Sequence, residues 1–489
     1  MAQTTIAQPQ SFTPAFNPVK YIIDSTNKNK TGFKYIFDVY NGATQIGRFK
    51  VLPRIVDGYG ELDLSRFLTS YLSWDFDPTV TLDHDALNSY YQYQIKTGEE
   101  YLAEFTYTSS LTDSGGFVRV NVNNTFVVGD QINIVQADGG TANPLVEGLH
   151  VVTNSSGTWF EIGVAWSSVT NVAIDGVVTY ADNRKVATYD VQTLTSGNVF
   201  NGARRWNEFV YWDNQEYNLN DPTKYWLTNQ PLTKFNCTIA QDLWLNARAT
   251  VGKKIVFENS NGELFSKSVV TNATIQQIAV GPNNHGTLTP AVGTLPLIKD
   301  DTTYYEFWYD DAGQDSRKYR VDIDRRVQIS EYDVVFLDRM GSMSSFAFQL
   351  KSYERGEVQR DEFNKDVQGY VTGGQWKYET QEFGFNTYQV RATKTLELNT
   401  NYMTQEMATY FEELITSPQC FLKVVQYVTT ENGELLLDEN GCIVHIAEST
   451  SYVPIIVTTN AFEVFKQRNK NLIKQTINVK LANNDAING

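Results

Sequence analysis

Apolar residues in this chain alternate with polar ones far more often than they recur at helical spacing, so strands are predicted through most of its length. Residues 33–40 and 44–51 are two such runs, and Asn41-Gly42 between them supplies the positive-φ pair of a tight hairpin turn. Strands are also expected at 90–95, 101–108, 241–249, 254–258, 304–309 and 318–323, and Phe209 to Trp212 read as a further aromatic strand. The run from Tyr332 to Leu350 is strand, glycine turn, strand. Two segments depart from this period. Leu64, Phe67, Leu68, Tyr71 and Leu72 mark one face of a helix over 63–73, with Asp63 as N-cap. Met403, Met407, Tyr410, Phe411, Leu414 and Ile415 mark a second helix over 404–416, capped by Thr404 and stopped by Ser417-Pro418.

These runs divide the chain. Residues 1–18, with Pro9, Pro14 and Pro18, read as an extended arm that orders by docking on a neighbour. Residues 19–108 and 188–230 read as one β-rich domain. Residues 109–187, rich in Val, Asn, Thr and Gly, form short strands around turns and read as a small β-barrel inserted into it. Residues 226–231 read as a linker to a second β-rich domain, 231–489. The predicted class is mainly β: multidomain sandwiches, each with one flanking helix, plus the inserted barrel. Pro454 within Tyr452 to Val457 puts that strand at an edge or bulge, because proline cannot donate to a ladder. An open edge invites another chain.

Composition narrows the partners. The net charge of −16 makes specific binding of nucleic acid unexpected, and the basic stretch Lys466, Arg468, Lys470, Lys474 reads as a solvated edge. The first ten residues lack the basic and apolar regions of a secretory signal, no apolar run spans a membrane, and no membrane contact is expected. Aromatic residues make up 13%, which suits packing across strands and at subunit contacts.

The polar residues converge on no recognisable chemistry. Three cysteines at long spacing, Cys237, Cys420 and Cys442, imply no disulfide framework. His84, His150, His285 and His445 are scattered, and Cys442 with His445 lacks partners for a zinc site. Asp310, Asp311 and Asp315 depart from the calcium-loop order and read as a hairpin tip, and Asp24 to Asn29 read as a loop containing Lys28. Arg204-Arg205-Trp206 and Asp324-Arg325-Arg326 are exposed basic clusters that could pair with acids. No catalytic residue, cofactor site or metal site is assigned.

The order of three elements carries a likeness. Val335-Phe336-Leu337-Asp338-Arg339-Met340-Gly341 with Phe346-Ala347-Phe348, then the helix end Phe411 to Pro418, then Val453-Pro454-Ile455-Ile456-Val457, resemble virion structural proteins of tailed bacteriophages. The likeness is to tail and tail-hub proteins of phages infecting Bacteroidetes, the crAss-like group included. Phe16 to Val19 and Tyr35 to Tyr40 share it. The resemblance implies tail-tube-like sandwiches that close rings by adding strands between subunits, and a structural role without catalysis. It implies a homo-oligomeric ring, hub or baseplate protein of the virion tail, assembled in the host cytoplasm beside other tail proteins and possible tail fibres. The expected interface residues are Phe16, Pro18, Val453, Pro454, Ile455 and Ile456. The two helix-bearing halves are expected to be copies of one architectural unit. The alternatives are a receptor-binding or fibre-attachment module using 109–187, and a polysaccharide depolymerase.

Overall fold

The computed structural model describes residues 3–482 except 75, 77–82, 109–110, 137–142, 171, 183, 194–195, 234, 249–252, 270–273, 294–295, 311–312, 326–331, 380, 382–383, 428–446 and 460–472. Cys442, His445, Asp311, Arg326 and most of the 466–474 basic stretch therefore lie outside the described residues. The protein is mainly β, as its alternating pattern predicts, and is built as multidomain β-sandwich architecture. It divides into two compact units. One comprises Met1–Thr13, Pro18–Arg66 and Gln92–Asn198; the other comprises Pro14–Asn17, Phe67–Tyr91 and Val199–Gly489.

In the first unit, strands Lys34–Asn41 and Thr44–Val51 form the expected hairpin, with Gly42 at φ 57°. Lys34–Asn41 pairs on its other side with Tyr90–Leu102. Tyr35, Phe37, Tyr93 and Ile95 are buried from these strands, and the Tyr21 and Tyr93 hydroxyls meet at 3.0 Å beneath them. A second sheet of seven strands runs, in spatial order, Leu111–Ser114, Phe117–Asn121, Trp159–Ala165, Gly148–Ser156, Gln131–Gln136, Gly176–Tyr180, Glu104–Tyr107. It curls around its own core of Val118, Val120, Ile132, Ile134, Phe160 and Val178.

The start of the chain is not a free arm. Gln3–Ala7 pairs antiparallel with Lys20–Ser25 of the same chain, and Phe12–Pro14 is a buried strand. The helix expected over 63–73 is only Ser65–Thr69. It continues as turns in which the Ser70, Tyr71 and Leu72 amides bond three residues back. Asp63 does cap it, accepting the amide of Ser65 at 2.9 Å.

In the second unit two sheets share one core. The six-stranded sheet contributes Phe235, Ile255, Phe257, Tyr305, Phe307 and Tyr319; the seven-stranded sheet contributes Val334, Phe336, Phe346, Leu396, Ile477 and Val479. The helix Gln405–Thr416 lies over this core, burying Met407, Ala408, Tyr410, Phe411 and Leu414. Each fully buried large apolar side chain of this kind contributes about 1.5–3 kcal/mol. Thr404 caps the helix by accepting the Met407 amide at 3.3 Å, and Ser417 leaves it at ψ 134°, as a following proline requires. These features match the sequence reading of 404–416.

Four expectations are corrected here. The strand orders around the two helices differ, so the halves are not copies of one unit. Residues 226–231 are not a linker: Trp226 and Leu227 are fully buried, and the Trp226 indole donates to Ser316 Oγ at 3.0 Å. Phe209 to Trp212 is not a strand. Trp206–Phe209 is one helical turn, and Trp212 stacks on Tyr217 at 4.9 Å. Pro454 is not on an edge strand either. Ala447–Val457 lies inside the seven-stranded sheet, between Cys420–Tyr427 and Thr476–Leu481. In a strand, one residue's N and O point to the same side. Pro454 O accepts from Ala482, past the last paired residue Leu481, so its missing N–H falls where that ladder ends.

Candidate functional site

The turn from Asp338 to Ser342 joins strands Tyr332–Leu337 and Met343–Phe348. Asp338 Oδ1 accepts the amides of Met340 and Ser342, both at 2.9 Å, and Oδ2 accepts from Thr228 Oγ1 at 2.8 Å and Tyr410 OH at 3.2 Å. Gly341 sits at φ 88°, where a Cβ would lie 2.5 Å from Asn201 O, so this turn admits only glycine. Asn246 Nδ2 donates to Gly341 O, and Ser342 Oγ to Leu227 O. The Val335 to Gly341 motif is thus the point where three distant segments of the chain are tied together.

Glu413 of the helix is buried beside it. The sequence stripe omitted this residue because a carboxylate does not fit an apolar face. Its oxygens accept from Asn229 Nδ2 at 2.9 Å and from the Arg339 amide at 3.0 Å. Burial, then the charge of Glu413, pushes the Asp338 carboxyl up to about 7. Burial also raises Glu413, with the Arg339 amide and nearby Arg205 opposing it. Glu413 lines a groove of about 590 Å³ together with Arg205, Asn229 and Tyr410. It also lines an apolar pocket of about 360 Å³ with Phe16, Trp74, Leu337 and Pro418.

Two neighbouring carboxyls with raised pKa values are the ordinary raw material of general acid–base catalysis. Here the geometry is that of an anchor. Asp338 is 3% exposed and four donors from the protein take up its two oxygens, so it presents no lone pair to a ligand in the groove.

The other groups singled out in the sequence are held by neighbours. Lys28 reaches Asp24 at 2.9 Å, where a cation would sit, and Asn27 reaches Glu99. Lys253 pairs with Asp315 at 3.1 Å and Lys254 with Asp310 at 3.8 Å. Arg205 pairs with Glu412 at 2.7 Å. Cys237 and Cys420 are buried free thiols, and burial raises both, Cys420 to about 12. His285 is half-buried, desolvation lowers its pKa, and its Nδ1 lies 2.8 Å from Gly286 O. Among the described residues no group of three or more His, Cys, Asp or Glu is placed to hold a metal ion, and no helix is long and apolar enough to cross a membrane.

Of the expected interface residues, Phe16 is exposed at the rim of the apolar pocket and Pro18 is half-buried. Val453 is half-buried, Pro454 and Ile456 are exposed, and Ile455 is in the core.

The largest exposed element was not anticipated. Strands Leu350–Asn364 and Phe385–Asn399, each of 15 residues, pair into an antiparallel ribbon. At about 3.4 Å per residue it is roughly 50 Å long. Among the described residues, its base, Thr395–Asn399, is the part joined to another strand, Thr476–Leu481. A smaller hairpin, Tyr370–Thr372 with Gln375–Lys377, turns at Gly373-Gly374 between the two ribbon strands. Val371, Trp376, Tyr378, Phe385 and Tyr388 are all more than half exposed.

No protein-family model matches the chain, and no curated protein matches it.

The second unit thus combines a buried knot of polar residues that fixes it with a long ribbon that, among the described residues, is exposed over most of its length. The signal for the ribbon lies in residues 350–399, where polar and charged residues occupy both alternating registers while aromatic residues recur. Over most of its length such a segment has strand-forming residues and no core-facing side; Leu396 and Leu398 at the base are the exception.

Proposed function

We propose that this protein is a structural component of a bacteriophage virion tail, a ring, hub or baseplate protein that works by assembling with copies of itself and with other tail proteins. The observation that carries this reading is the ribbon. A two-stranded ribbon is marginal in water by itself; this one exposes Phe385 and Tyr388, and the small hairpin between its strands and the residue after it expose Val371, Trp376 and Tyr378. Exposed aromatic side chains on an extended element are what subunit contacts use. The resemblance of Val335 to Gly341, Phe346 to Phe348 and Val453 to Val457 to tail and tail-hub proteins adds the phage context. Polar side chains around Asp338 serve to fix the framework, which suits a protein whose product is an assembly. Class averages of the purified protein by negative-stain electron microscopy test the proposal. Closed rings or defined oligomers are expected; single compact particles at every concentration would refute it.

A further inference from the structure

Three polar side chains stand in a row across the seven-stranded sheet. Asp333 of Tyr332–Leu337 is directly opposite Lys423 of Cys420–Tyr427, and Lys423 is directly opposite Tyr452 of Ala447–Val457. Residues paired in this way point to one face. Asp242, just before strand Trp244–Arg248, meets that row. Its Oδ2 lies 2.6 Å from Lys423 Nζ and accepts from Tyr452 OH at 2.5 Å, and its Oδ1 accepts from Asn283 Nδ2 at 2.7 Å. A bond to Ala240 O at 2.5 Å fixes Lys423 Nζ from the other side. Among the described ion pairs this is the one whose side chains are both less than 5% exposed, and Asp333 is buried too. Phe76 closes one flank, with its ring centre 5.5 Å from that of Trp244, 5.0 Å from Phe421 and 5.6 Å from Tyr452.

We propose that Lys423 and Asp242 condense into an intramolecular isopeptide bond, with Asp333 as the proton carrier. Before condensation they are the ion pair seen here. A nitrogen 2.6 Å from a carboxylate oxygen lies roughly 3–3.5 Å from its carbon at ordinary hydrogen-bond angles, which is the reach of a near-attack contact. Burial supplies the drive: holding two ions out of water is costly even when they pair, and condensation consumes both charges. First a proton passes from the Lys423 ammonium to Asp242, leaving an amine and a carboxyl, the uncharged forms that a dry site favours. The amine then attacks Cγ of Asp242. Asn283 Nδ2 and Tyr452 OH donate to the two oxygens on which charge develops. Burial, then the charge of Asp242, holds the Tyr452 hydroxyl far above its usual range, so it stays a donor. Asp333 takes a second proton from the nitrogen and passes it to the departing oxygen, which leaves as water. One C–N bond forms and one C–O bond breaks. The third ammonium proton stays on the amide nitrogen, and nothing is oxidised or reduced. The product closes a loop from Asp242 to Lys423 and restricts the unfolded chain as a long-loop disulfide does, but no reductant opens it.

Intact-mass spectrometry of the purified full chain, denatured for the measurement, reads the bond directly. The wild type should weigh one water less than its sequence. Tryptic digestion should give a branched peptide that joins the stretch around Asp242 to the stretch around Lys423, uncut after Lys423. Lys423→Met and Asp242→Leu should each show their full sequence mass. Asp333→Asn keeps both partners of the bond and should link about a hundredfold more slowly while retaining the wild-type circular dichroism. A folded wild type that keeps its full sequence mass after days of incubation refutes the bond, as does a water loss that maps to any other residue. An Asp333→Asn chain that links as fast as the wild type overturns the role of Asp333.

Discussion

Lys423 and Asp242 form an ion pair at 2.6 Å with side chains only 2% and 4% exposed. Asp242 also accepts from Tyr452 OH at 2.5 Å and Asn283 Nδ2 at 2.7 Å, and Lys423 donates to Ala240 O at 2.5 Å. Lys423→Met keeps the length of the side chain and removes its charge. It leaves a buried carboxylate with two neutral donors and no counter-charge, and deprives Ala240 O of its donor. Breaking one side of such a pair costs about 3–5 kcal/mol. At about 1.4 kcal/mol per decade, opening of the surrounding strands should become roughly two to nearly four orders of magnitude more frequent. Hydrogen exchange read by mass spectrometry on Tyr332–Leu337 and Cys420–Tyr427, which pair through Lys423 and Asp333, reports this opening directly. The double variant Asp242→Leu with Lys423→Met should recover most of the loss, since a matched apolar pair avoids the desolvation penalty. A single variant that exchanges within about threefold of the wild type would refute the reasoning, as would a double variant no better than the single one.

Trp226→Ala should cost about 3–5 kcal/mol, because it empties the centre of the larger core and strips Ser316 of its indole donor; denaturant unfolding checks it. Gly341→Ala should cost more than about 1 kcal/mol, since φ 88° and the Asn201 carbonyl both oppose a Cβ; the thermal midpoint is the readout. The Asp338 carboxyl is raised to about 7 in the folded state, so its contribution is full below its unfolded value near 3.8 and is lost as pH rises through 7. The difference in unfolding free energy between wild type and Asp338→Asn should therefore shift against the wild type as pH rises toward 8. Thr404→Ala should destabilise the helix Gln405–Thr416 by about 1 kcal/mol, seen as faster exchange of its first-turn amides.

What could be read before folding was whatever depends on neighbours in sequence. The Asn41-Gly42 hairpin, with Gly42 at positive φ, and the capped, proline-stopped helix are local devices, and each stands as expected. What escaped depends on partners far away. Pro454 tolerates an interior strand only because Thr476–Leu481 ends beside it. Trp226 looks like part of a linker until Phe307 and Tyr309 pack edge-on against it. Glu413 breaks an apolar stripe and is nonetheless buried, because Asn229 and the Arg339 amide satisfy it. The ribbon was invisible to a search for one buried face, since most of its length buries neither.

At the base of the ribbon Leu350–Asn364 carries a register shift between Leu350 and Tyr353, but its partner strand does not. Phe385–Asn399 runs without a break from the exposed stretch into its ladder with Thr476–Leu481, and the strands there lie parallel to the ribbon axis. A pull along that axis loads those hydrogen bonds in shear, all of them together, while a sideways pull would peel them one by one. The element is therefore built like a tie bar: stiff under tension along its length, and weakest where it is bent across its own plane.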